Sequence, residues 1–169
     1  MVQSRYWNEL QHLKENLGYI QLYRQKLESR DKALKFFLAI TSSGSIAGWA
    51  IWKNVGMLWA VIIAASHVIH AIKHLFPYEA RLKSLSGLFY AIEKLLLFTE
   101  ERWYDVSEGN LTEKQIHDLQ FEIRRKRIDT VKKHLGDTLL PLKEKLWSKS
   151  VRSADVYFDT FYKMEDKNE

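Results

Sequence analysis

Three imidazoles, His67, His70 and His74, fall on one helical stripe with Gly56, Ala60 and Ile63. Side chains at i, i+3 and i+7 of one helix do not converge on a single metal ion, although either neighbouring pair supplies two ligands. No carboxylate shares the stripe, so no metal site is expected there. A polar lining at the inner mouth of an oligomeric pore, responsive to pH, suits these residues better. For His74, contact with lipid headgroups serves equally well.

The densest positive run is Arg124, Arg125, Lys126 and Arg127, continued by Lys132 and Lys133. Four consecutive cations on a helix cover most of its circumference, so at least two must face solvent or an anionic partner. Three readings stay open: a solvated face, attraction to anionic lipid, and a phosphate-bearing ligand whose oxygens match guanidinium forks. A third constellation is Thr41, Gly44, Ser45, Gly48 and Trp52, which share one face around a GxxxG. In lipid such small residues let helix backbones approach, within one chain or between subunits, or else line a pore with hydroxyls. There is no glycine-rich phosphate loop, no HExxH and no GxSxG. The expectation is a protein that is not an enzyme and needs no cofactor or metal.

The elements that carry these residues follow from charge segregation. The chain of 169 residues has 26 Lys plus Arg against 21 Asp plus Glu, a net charge of +5, yet between Phe36 and Ile72 the only formal charge is Lys53. With no Cys, disulfide frameworks, thiolate zinc sites and cysteine nucleophiles are excluded. Residues 36–52 and 54–72 are two apolar stretches, each about 25–30 Å long as a helix, which matches the hydrocarbon core of a bilayer. The short turn at Lys53, Asn54, Val55 and Gly56 forces an antiparallel hairpin, and Trp49, Trp52 and Trp59 cluster about it as interfacial aromatics do. Basic residues flank the outer ends, so both termini are expected to be cytoplasmic. The rival to this hairpin is a buried pair of helices in a helical bundle.

Heptad-like seams flank the hairpin. Tyr6, Leu10, Leu13, Leu17, Ile20, Arg24, Leu27, Asp31 and Leu34 form one; Tyr78, Leu82, Leu85, Phe89, Ile92, Leu96, Thr99 and Trp103 form the other. If the hairpin returns the chain to its starting side, these two helices can pack antiparallel. Residues 107–110 read as a loop, and Thr112 to Gln115 as a capping box opening a helix that ends near Gly136, with Ile116, Leu119, Ile123, Val131 and Leu135 inward. After the break at Leu140 and Pro141, Leu146, Trp147, Val151, Val156, Phe158, Phe161 and Tyr162 suggest a last amphipathic helix. The reading is thus all-α: a transmembrane hairpin at 36–74 between an amphipathic helix at 1–35 and a helical bundle region at 75–169.

This layout, with spans at 33–52 and 57–73, resembles the SLATT family of two-transmembrane effectors, and is similar to the membrane effectors of Hailong anti-phage systems. The resemblance implies a homo-oligomer, such as a tetramer, in the bacterial inner membrane. It further implies a pore or ion channel opened by a nucleotide or oligonucleotide second messenger from a partner nucleotidyltransferase, so that membrane depolarisation arrests the infected cell. The alternative is a non-conducting membrane anchor or adaptor whose cytoplasmic helices recruit a protein partner.

Overall fold

The computed structural model describes the backbone of residues 2–51, 56–73 and 78–162, with the side chains of 41–51, 56, 58–59 and 70–73 outside that description. Five helices follow in order: α1 (Val2–Ile51), α2 (Gly56–Lys73), α3 (Tyr78–Ser107), α4 (Glu113–Leu135) and α5 (Glu144–Phe161). Among the described residues helices are the sole regular secondary structure, so the fold is all-α. Two compact units result, one from Met1–Arg24 with Lys83–Glu169, the other from Gln25–Leu82.

The first unit is a four-helix bundle in which α1 and α3 each touch both other helices. Its core joins Tyr6, Leu10, Leu13, Leu17 and Ile20 of α1 to Leu88, Ile92, Leu95 and Leu96 of α3, Ile116 and Ile123 of α4, and Ala154 and Phe158 of α5. Fully burying each of the larger side chains contributes about 2 kcal/mol. The antiparallel pairing of α1 with α3 is fixed by polar contacts at one end: Tyr6 Oη donates to the Thr99 carbonyl at 2.9 Å, and Gln3 Nε2 to that of Val106 at 2.8 Å. Burial drives the Tyr6 phenol pKa well above its ordinary value of 10.0, with nearby Arg102 opposing and Asp105 adding to the shift.

Local signals set the helix ends. Thr112 accepts from the Gln115 backbone N–H while the Gln115 side chain accepts from the Thr112 N–H, so the capping box forms as its sequence requires. Gly136, at φ 57°, closes α4 with its N–H on the Lys132 carbonyl; a side chain there would be strained. Helix α5 approaches α1 closely because Gly18 has no Cβ: an added one would lie 2.4 Å from Ser150 Oγ, which itself bonds the Glu15 carbonyl. The inward face of α5 is therefore Ser150, Ala154 and Phe158, whereas Val156 and Phe161 are exposed, contrary to the hydrophobic reading. Val131 also stands partly in solvent rather than in the core.

The second unit contains the remainder of α1, all of α2 and the start of α3. Lys35 Nζ bonds Asp31 Oδ2 at 2.8 Å and Glu79 Oε1 at 2.7 Å, and these two hydrogen bonds raise its pKa above the usual lysine range. Leu27 is buried, but many of its described apolar side chains are exposed: Phe36 at 69%, Met57 at 86%, and Ile40, Val61, Ile63 and Val68 with them. Among the described residues no helix is long and apolar enough to cross a membrane. The turn at 53–55, Trp52 and His74 lie outside the described residues, as do the side chains of Thr41, Gly44, Ser45, Gly48, Trp49, Gly56, Trp59 and His70.

Candidate functional site

The basic run on α4 divides by what each cation meets. Helix α4 lies beside α1 in the same direction, pairing Arg5 with Gln120 and Glu9 with Arg124. Glu9 is only 3% exposed, and Arg124 Nε reaches its Oε2 at 2.8 Å while Arg127 Nη1 lies 3.0 Å from its Oε1. The second contact is an ion pair whose geometry falls short of a hydrogen bond. A carboxylate this deep requires compensation, so Arg124 and Arg127 serve the bundle before they serve any ligand. Lys126 turns the other way: it pairs with Glu122 at 2.6 Å and stands 4.4 Å from the Phe98 ring centroid of α3. Arg125, Lys132 and Lys133 are exposed and form no ion pair among the described residues.

Where α1 and α4 run side by side they leave a polar groove of about 470 Å³. Arg5, Asn8 and His12 line it from α1; His117, Gln120, Phe121 and Arg124 line it from α4, with Glu9 at its base. The His117 and Phe121 rings lie 4.7 Å apart, and the Arg124 guanidinium is 5.7 Å from Phe121. Arg5 has no ion pair among the described residues, whereas His12 contacts Glu15 Oε2 at 2.9 Å. Arg124 is held by Glu9, Gln120 donates to the Arg5 carbonyl and His117 lies 3.8 Å from Asp118, so Arg5 and Asn8, beside the exposed Phe121 ring, are the groups left to meet phosphate oxygens and a planar base. Of the six cations singled out on α4, only Arg124 lines this groove. Arg5, His12 and His117 were not among them, because the residues that meet there are separated by about a hundred positions in sequence. The trace in sequence is a shared spacing: 5 and 12, like 117 and 124, are seven apart and hence on one face.

Of the histidine stripe, His67 is described and exposed. Among the described residues no group of three or more His, Asp or Glu is placed to hold a metal ion. Comparison of the chain with family models, curated proteins and solved structures finds no match.

Proposed function

We propose that the chain is an oligomeric membrane effector, a pore or ion channel whose opening is controlled by a nucleotide or oligonucleotide, and that it acts by depolarising the bacterial inner membrane in anti-phage defence. The observation that carries this reading is the outward apolar surface of the second unit. Phe36, Ile40, Met57, Val61 and Val68 are exposed on a stretch whose only charge is Lys53. Large apolar side chains exposed in this number call for lipid or another copy of the chain, and two uncharged stretches of this length joined by a short turn fit a bilayer. In the polar groove Arg5, a guanidinium with no ion pair among the described residues, supports the second half of the reading, a phosphate-bearing signal. Such a signal opens a pore only through different affinities for its closed and open states. The chain is not proposed to catalyse a reaction.

Membrane fractionation followed by ion-flux assays in liposomes tests the proposal, with a panel of cyclic dinucleotides and short linear oligonucleotides as probes. Recovery of monodisperse protein from plain buffer would overturn membrane insertion; insertion without flux under every probe would overturn the pore. One observation favours the alternative, a non-conducting anchor or adaptor. Tyr90, Leu97 and Tyr104, seven apart, are exposed on the side of α3 away from the bundle core, a face suited to a partner helix. In that case Leu97→Glu abolishes partner capture, and liposomes stay tight.

A further inference from the structure

A second cleft in the four-helix unit has the opposite character to the polar groove. It encloses about 590 Å³ among α1, α3, α4, the 136–143 connection and the start of α5, within the size range of small-molecule sites. Of its sixteen lining residues, ten carry aliphatic or indole side chains, two are the cations Arg127 and Lys132, and none is a carboxylate. Ile20, Leu88 and Ile92 are buried, while Leu139 and Leu142 are 86% and 70% exposed. The connection that presents these leucines is tied back to α1 by one group: Tyr19 Oη donates to the Pro141 carbonyl and accepts the Lys143 N–H at 3.1 Å. Two exposed leucines beside an apolar cleft leave surface in water that a bound chain would cover.

The geometry points to a binding site for a single-chain anionic amphiphile, taken up as a monomer. Its alkyl chain lies between α4 and the leucines of the connection, and its phosphate or carboxylate head meets Lys132. The head group is read from charge: Lys132 forms no ion pair among the described residues, Lys133 follows it, and no acid lines the cleft to admit a cationic head. Arg127, at the same cleft, is already committed to Glu9. This site does not depend on the pore reading, since every residue in it belongs to the four-helix unit.

The test irradiates the full chain in zwitterionic vesicles with a diazirine-bearing alkyl phosphate and maps the adducts by peptide mass spectrometry. Adducts are expected between residues 128 and 142 and at Trp147, removed by excess decyl phosphate but not by decyltrimethylammonium. Lys132→Glu should raise the decyl phosphate needed for competition about tenfold, the loss of one charge-assisted contact. Val131→Trp fills the cleft and should cut labelling about tenfold. Leu139→Asp, at a solvent-exposed position where folding is not at stake, should do the same. Labelling unchanged in Leu139→Asp, or equal competition by the cation, overturns the site. So do adducts confined to 36–73, or labelling that needs phosphatidylglycerol vesicles in place of the monomer; the latter would mark a lipid-contacting surface. Failure of the chain to enter membranes at all would sink the pore proposal while leaving these labelling results interpretable.

Discussion

The four-helix unit and the second unit place their apolar residues in opposite ways. In the first, leucines and aromatics of four helices face one another, and the polar groups among them have partners: Tyr6 the Thr99 carbonyl, Glu9 a hydrogen bond from Arg124 and an ion pair with Arg127, Ser150 the Glu15 carbonyl. In the second, Phe36, Met57 and Val61 point outward, and Lys35 joins the buried Asp31 to the exposed Glu79. Water can organise the first arrangement unaided, because burial and hydrogen-bond satisfaction act together there. The second makes physical sense in a solvent without hydrogen bonds or against another apolar surface.

Reversing charge at the base of the polar groove should give the largest effect. Replacing Arg124 and Arg127 together by Glu strands Glu9 among like charges and should cost about 3 kcal/mol; the low end of the range for a broken buried pair applies because the guanidiniums are partly solvated. Equivalent reversals at Arg125 and Lys133 should stay within about 0.5 kcal/mol by chemical denaturation. Equal losses would erase the division of the basic run into structural and free cations. The next effect falls on the other unit. Val61→Asp should oppose bilayer insertion by about 2.5–3.5 kcal/mol, read as a shift from membrane to soluble fraction; an unchanged distribution would mean that Val61 does not face lipid.

Gly18→Ala is expected to cost about 1–3 kcal/mol, since the new methyl meets Ser150 Oγ and forces α5 off α1. Adding Ser150→Gly to that variant should restore much of the loss. The smallest effect has a pH signature. Tyr6→Phe removes one buried hydrogen bond, worth about 1 kcal/mol. The folded-state pKa of Tyr6 is raised, so the unfolded chain releases its phenolic proton first, and stability from this group is present below pH 10 and lost as pH rises beyond it. The variant should therefore show a shallower alkaline decline in thermal-melt midpoint than the parent; identical slopes would assign that decline to other groups.

How much of this was legible beforehand depends on the distance over which each cause acts. The seam from Tyr6 to Ile20, the break at 107–110 and the Thr112–Gln115 capping box are local patterns, and all three stand where their spacing put them. The last helix was legible as a helix but not by face. Val156 and Phe161 marked the helix as amphipathic by their hydrophobicity, whereas the close approach of Gly18 turns the small Ser150 inward instead. Val131, expected inside, lines the apolar cleft instead. The pairing of Glu9 with Arg124 spans 115 positions and has no local signature. Nothing in the run of four cations shows which of them will be drawn to a carboxylate on another helix.

The contacts that close the four-helix unit also impose a timetable on synthesis. Tyr6 meets Thr99 across 93 positions, Tyr19 meets Pro141 across 122, and Ser150 meets Glu15 across 135. A ribosome adding about 5–20 residues per second makes the first residues of α1 wait roughly 5–20 s before α3 emerges to cover them. Residues 25–82 are complete before that moment arrives. Whatever surface they seek, they can find it while the nascent N-terminal helix is still uncovered, so chaperone access to Leu10 and Leu13 during those seconds becomes part of how this protein is made.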